Sequence, residues 1–455
     1  MDPAEQVLDR RPGPPPGWWY RRSSTGSPVF TSYRRILALP GALAFTLAGL
    51  PARLSMSMTG VSAVVLISER RHSYALAGAV SAAGLVTLAV LLPLLGRLVD
   101  RYGQARVAVP AVLAAVAPMA GLLLCLRSGA PDWTLFLCWA ACSTAPNVGG
   151  MVRARWAHLL RGDEAGQHLA NSLEQALDEL CFMLGPVLAV LLCRALTPEA
   201  GLLTSAALCV AGVLLLSAQR GTEPPLAPAS AGTPGADRTN GTDRTAGGRG
   251  GLLVLLPMFL ATGVVFGSME VTTIAYTDAT GHGSLAGLLL GLVAAGSCVS
   301  GLVFGLLRPR RGPVARLLGG VAAMAVLMLL PAAAGLSGAG PAVLAAALFL
   351  AGSGTAPTMV SGMTLVQQLV PAGRLNEAMA AAVSAILVGI SAGSALGGAV
   401  AQRLPGGTGY VVPAAAAATA LLIAATGTRR LRATAPTTGT PAAGLAVPVA
   451  AGLPD

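Results

Sequence analysis

"ALAGAVSAAGLVTLAVLLPLLGRLVDRYG" (residues 75–103) is an apolar run of about twenty residues that ends abruptly in a charged, glycine-bracketed turn. A helix of that length crosses ~30 Å of hydrocarbon, and the Arg and Asp at its end belong in water. Runs of the same kind recur from Ile36 to Gly427. Of the 455 residues 54% are hydrophobic and only 11% charged, with a mean hydropathy of +0.68. A soluble chain of this size carries roughly a quarter charged residues, so the sequence predicts an all-α integral membrane protein. Short alternating segments, the mark of a membrane β-barrel, are absent from it.

Outward from this stretch the chain repeats itself. "GSLAGLLLGLVAAGSCVSGLVFGLLRPRRG" (residues 283–312) aligns with it at one offset, pairing Gly78 with Gly287, Gly96 with Gly305, Arg101 with Arg310 and Gly103 with Gly312. Thr144-Ala145-Pro146 then matches Thr355-Ala356-Pro357, and "GPVLAVLL" at Gly185 matches "GSALGGAV" at Gly393. Landmarks in one order predict a duplicated six-helix unit, so twelve transmembrane helices as two pseudo-symmetric six-helix bundles. The bundles are placed at 36–219 and 251–427. A disordered tail (1–35), a Gly/Pro/Thr-rich linker (220–250) and a second disordered tail (428–455) lie outside them.

The net charge is +11, and every basic residue is arginine. Arginines sit between the apolar runs rather than on one soluble patch, which excludes a nucleic-acid partner. With both termini in the cytoplasm, twenty-four fall in the tails and inner loops against five outside, with Arg53 left within the first helix. That excess sets the orientation by the positive-inside rule. The N-terminus has no apolar core and many prolines, so it does not read as a signal peptide. The seven cysteines lie in apolar runs without metal-ligand spacing and read as small buried hydrophobes.

"GRLVDRYGQAR" (residues 96–106) joins the second and third helices. Its glycines permit a tight turn and close helix contact, and Asp100 can cap a helix N-terminus. The loop resembles the signature loop of the major facilitator superfamily, with Gly96, Asp100, Arg101, Gly103 and Arg106 at the pattern positions. The second copy keeps Gly305, Arg310 and Gly312 but has Pro309 for the acid. The resemblance spans residues 36–427 apart from the linker. It implies alternating access between two rocking halves, with this loop stabilising one conformation rather than binding substrate. "CFMLGPVLAV" in helix 5 resembles part of the glycine-proline motif of the superfamily's drug:proton antiporters through Gly185 and Pro186, but Ala189 and Val190 replace its later glycines. Helix 11 carries Gly389, Gly393 and Gly397 with Ser394 for the proline. These small residues also suit plain helix packing. Helix 4 lacks the mid-membrane arginine associated with proton transfer in many antiporters.

Intramembrane charge is the sharpest functional pointer, because it is costly and faces a partner or a watery cavity. Arg53 follows Pro51 near the middle of helix 1. In helix 5, Asn171, Glu174 and Asp178 share one face, with Glu179 beside them. An Arg53–Asp178 or Arg53–Glu174 pair follows if these helices adjoin, either as a lock between two helices or as a pair that changes on protonation. Glu270 in helix 7 is a second candidate. Asn147, Gln367 and Gln368 are placed as hydrogen-bonding groups toward substrate or between helices. Arg153, Arg155 and Glu377 are placed at cytoplasmic helix ends, and the four histidines near solvated loops.

The reading is a secondary transporter in the plasma membrane, acting as a monomer. It exports a small organic, drug-like molecule against protons, with import of a metabolite as the alternative and a non-transporting membrane sensor as a weaker one. No cofactor or metal is expected. No nucleophile–base constellation or phosphate-binding glycine loop speaks for an enzyme or an ATP-driven pump.

Overall fold

The computed structural model describes residues 28–226, 238–282, 285–307, 311–404 and 406–434. Arg308, Pro309, Arg310 and most of the expected tails and linker core lie outside these residues. The described chain is helical throughout. An amphipathic helix α1 (Pro28–Leu37) precedes the bundle. The first half comprises α2 (Ala42–Arg71), α3 (Tyr74–Tyr102), α4 (Gln104–Arg127), α5 (Asp132–Cys142), α6 (Val148–Leu159), α7 (Glu164–Ala195) and α8 (Ala200–Ala218). The second comprises α9 (Arg238–Ala279), α10 (Ala286–Leu306), α11 (Pro313–Leu327), α12 (Leu329–Leu336), α13 (Pro341–Ser353), α14 (Thr355–Leu369), α15 (Leu375–Arg403) and α16 (Val411–Thr426), followed by α17 (Thr428–Thr434).

Among the described residues eleven helical stretches are long and apolar enough to cross a membrane. The remaining crossing is split into α5 and α6, where one helix over 132–156 was expected. Pro146 has no N–H to continue the ladder. Ser143 turns its hydroxyl to the Gly84 carbonyl (3.1 Å), and Asn147 restarts the helix by accepting from the Gly150 N–H (3.1 Å). The ninth and tenth crossings are interrupted more gently, at Met328 and Gly354.

Within the first half α2 packs on α7 and α8, and α4 on α5 and α8; within the second, α9 packs on α15 and α16, α10 on α13, and α11 on α14. The halves meet along two seams, α3 with α15 and α7 with α10 and α14. One end of the bundle gathers the loop after α3, residues around Glu223, the start of α2, and α9 near Val254: Gly103 lies beside Glu223, Gly41 beside Thr222, and Gly427 beside Val254. We call this the linker end. α1 and α17 both sit here. They fall in segments expected to be tail, and α9 begins inside the expected linker. For α1 the reason is legible spacing: Tyr33 and Ile36 stand one turn apart and are both buried, Ile36 in the apolar core with Phe45 and Trp156.

Candidate functional site: an arginine–carboxylate cluster and the seams around it

Arg53 lies eleven residues into α2 and Asp178 fourteen into α7, about 17 Å and about 21 Å along their helices, so both reach the bundle's interior. Glycines let the neighbouring helices approach around Arg53: a Cβ at Gly49 would lie 2.9 Å from the Val152 side chain, and one at Gly149 3.4 Å from the Arg153 guanidinium. Arg53 pairs with Glu174 and, at 3.3 Å, with Asp178. Asp178 is shared, because Arg153 of α6 also reaches it at 2.6 Å.

The two carboxylates are held differently. Glu174 is fully enclosed, and its other oxygen accepts from the Trp156 indole N–H at 2.6 Å. Asp178 keeps 19% of its side-chain surface exposed and, among the described residues, pairs only with arginines. Two arginines and two acids make the cluster neutral overall, which lowers the cost of holding four charges in the membrane interior. Removing any one leaves an uncompensated charge.

Arg153 corrects the sequence reading twice. It is buried at 4% exposure within α6 rather than placed at a helix end, and it supplies helix 4 with an interior arginine. The break at 143–147 sets this register, because α6 restarts at Asn147 and carries Arg153 toward α7. Arg155 is also buried. Its fork binds the Gln104 side chain (2.8 Å), the Leu216 and Gln219 carbonyls (3.0 and 2.9 Å) and the Thr222 hydroxyl (2.8 Å), so it caps the end of α8.

Asn147 commits its amide oxygen to the α6 cap. Gln367 pairs across the halves with Asn171, whose amide N–H reaches the Gln367 oxygen at 2.7 Å and the Thr364 hydroxyl at 3.0 Å. Glu270 is apart from the cluster, exposed on α9 and without an ion pair among the described residues. His168, expected near solvent, is buried with its Nε2 2.8 Å from the Phe304 carbonyl.

At the linker end the signature loop closes one seam. A Cβ at Gly96 would lie 2.6 Å from the Asn376 carbonyl oxygen, so only glycine allows this approach of α3 to α15. The Asp100 carboxylate accepts from the backbone N–H groups of Asn376 (3.1 Å) and Glu377 (2.9 Å) and from the Asn376 amide (2.8 Å), capping α15 from the other half. Arg97 and Arg374 both bind Glu377, at 2.7 and 3.0 Å. Arg101 lies over the Tyr102 ring at 5.2 Å, Gly103 takes a left-handed φ of 96°, and Arg106 is exposed. The other seam is closed by the His168–Phe304 contact and by Tyr33, which donates to the Leu302 carbonyl at 2.8 Å beside Gly305. Toward the opposite end, Gly78 and Gly287 face open space, and Phe182 and Met183 of α7 are exposed.

The packing glycines lie where helices cross. Gly185, just before Pro186, sits against Ser57 of α2, while Gly389, Gly393 and Gly397 of α15 lie against the α9 backbone.

The family model described as Major Facilitator Superfamily matches residues 45–340. Among curated protein sequences none matches the chain. Among solved structures, a bacterial homologue of the iron transporter ferroportin in an outward-facing state is similar with a TM-score of 0.63 at 17% identity, over 85% of this chain and 99% of that one. The human organic anion transporter MFSD10 follows at 0.61 and 16%, covering 86% and 98%. An E. coli fucose:proton symporter gives 0.59 and 15%, covering 86% and 99%.

Proposed function

From the premise that this chain belongs to the Major Facilitator Superfamily, we propose that it is a proton-coupled exporter of a small organic molecule. It is a multi-pass membrane transporter rather than an enzyme; the coupling, direction and substrate are the proposal. The observation that carries it is Asp178, a partly exposed carboxylate shared between Arg53 and Arg153 while Glu174 stays locked by Trp156. Taking up a proton at Asp178 releases Arg153 and removes one of the two partners of Arg53, and losing it draws α6 back to α7. Glu174 serves as the fixed anchor for Arg53. A neutral cluster amid small apolar residues suits amphiphiles better than sugars.

The closed seams at the linker end support alternating access from a state shut on that side. With the arginine excess at the linker end, that end is cytoplasmic, the membrane is the plasma membrane, and the monomer is the working unit. Import is the second reading. It draws on the solved symporters of this fold that carry fucose or xylose with protons.

Proton movement in inverted membrane vesicles tests this, with a panel of cationic dyes and amphiphilic antibiotics added to wild type, Asp178→Asn and Glu174→Gln. Export against protons predicts that one compound dissipates the gradient in wild type and not in Asp178→Asn. If none does while labelled nutrients accumulate in intact cells, the importer takes its place.

A further inference from the structure

Glu179 takes no part in the arginine cluster. It follows Asp178 and points about 100° further round α7, across the seam toward the second half. Its Oε1 accepts from the Gln175 amide at 3.0 Å and from the Ser297 hydroxyl of α10 at 2.9 Å. Ser297 is 1% exposed and accepts in turn from the Thr355 hydroxyl of α14 at 2.8 Å. Thr355 Oγ1 also lies 2.8 Å from the Gly352 carbonyl oxygen. A chain of hydroxyls thus runs from a carboxylate to a carbonyl, through four helices and across the seam. No arginine pairs with Glu179 among the described residues. The ionisable groups facing it are Asp178 on its own helix and Cys298 on α10; α14 brings only the Thr355 hydroxyl.

We propose that Glu179 is a proton-binding site built into the seam, with Ser297 and Thr355 as hydroxyl rotors that satisfy it in both protonation states. With Glu179 ionised, Ser297 donates to the carboxylate and Thr355 donates to Ser297. With Glu179 protonated, its O–H donates to Ser297, Ser297 to Thr355, and Thr355 to the Gly352 carbonyl. One proton joins the carboxylate. The two hydroxyl protons rotate but stay on their own oxygens, and no covalent bond in the chain breaks. A hydroxyl is both donor and acceptor, so such a chain reverses freely provided it ends on an acceptor, as this one does. An isolated carboxylate at this depth is costly when charged, and this arrangement lets it be neutral without losing a hydrogen bond.

Ser297 and Thr355 belong to the second half and Glu179 to the first. Separating α7 from α10 strips the rotors away and leaves Gln175 as the carboxylate's hydrogen-bond donor, so proton occupancy is tied to the seam. Only this last step rests on the transporter reading above; protonation itself does not.

Infrared titration of the purified full-length protein in lipid tests the site directly. A carboxylic C=O band that titrates with pH is expected in wild type, lost in Glu179→Gln and retained in Asp178→Asn. Ser297→Ala keeps the carboxylate and shifts the band by removing its partner, which covers a Glu179→Gln variant that fails to fold. A band unchanged in both Glu179→Gln and Ser297→Ala, or no band at all, overturns the site. Distances between spin labels on α7 and α10 at the linker end, taken over the same pH range, read the coupling. They are expected to shift with the band in wild type and to lose that shift in Glu179→Gln, and a pH-independent distance beside an intact band overturns the link to the seam. Vesicles that show no proton-coupled export while the band titrates count against the exporter reading and leave Glu179 standing.

Discussion

The same helix crossing occurs twice in this molecule and is built in two ways. In the first half α2 meets α7 through Arg53, Glu174 and Asp178, with a single glycine contact at Gly185. In the second half no ion pair spans the duplicated crossing of α9 with α15 among the described residues. Gly263, Gly267, Gly389, Gly393 and Gly397 bring the two backbones into contact instead. Dispersion between close-packed backbones does not vary with pH, whereas an arginine shared among carboxylates does. The second half therefore serves as the more rigid partner, and the paired charges lie in the first half or on the seams.

Breaking the charged crossing has the largest expected effect. Arg53→Leu leaves Glu174 buried with only the Trp156 N–H, and such a stranded charge costs about 3–5 kcal/mol. Thermal unfolding in detergent should show a loss of that order. Arg53→Leu with Glu174→Leu should recover most of it, because an apolar replacement for a buried pair is often close to neutral. A small effect from the single change would mean that water solvates the cluster, and the contrast between the crossings would dissolve. Next comes Gly393→Ala in the other crossing. Its Cβ would lie within 2.9 Å of Val264 backbone atoms, and overpacking of that kind costs about 1–3 kcal/mol. This loss should be the same from acid to neutral pH. A pH-dependent loss there would contradict the division of labour between the halves.

Much of this contrast was legible in the sequence. Glu174 and Asp178 stand four residues apart, so one face of one helix had to carry both, and a buried arginine had to find them. The duplication placed Gly96 and Gly305 at matching points, and both prove to be where the halves touch. The break in helix 4 was hidden because Thr-Ala-Pro-Asn reads equally as an interior proline kink. Arg153 went unrecognised with it, since its depth depends on where α6 restarts; Asn147 followed three residues later by Gly150 was the available sign of a cap. α1 was masked by the proline-rich stretch before it. His168 and the Asn171–Gln367 pair could not be foreseen, because no local pattern encodes a contact between residues 196 apart.

The comparison sharpens most at the two linker-end seams, where duplication gave matching glycines but different closures. On the α3–α15 side Asp100 caps a helix of the opposite half through two backbone N–H groups. On the α7–α10 side the sequence has Pro309 at the equivalent position, and two neutral hydrogen bonds span the seam, Tyr33 of α1 to Leu302 and His168 Nε2 with the Phe304 carbonyl. Losing a helix cap costs about 1–2 kcal/mol, so Asp100→Ala should raise the population open at the linker end about tenfold. Removing one neutral hydrogen bond costs about 1 kcal/mol, so Tyr33→Phe should raise it about fivefold. Arg97 is 64% exposed in its pair with Glu377, and a solvated pair of that kind contributes below about 1 kcal/mol. Arg97→Ala should accordingly move the population least, and only at low salt. Alkylation rates of single cysteines placed at the linker ends of α3 and α7 measure all three on one scale. If Tyr33→Phe opens the seam as far as Asp100→Ala does, α1 closes the molecule as strongly as the signature loop, and the two seams are equivalent despite their chemistry.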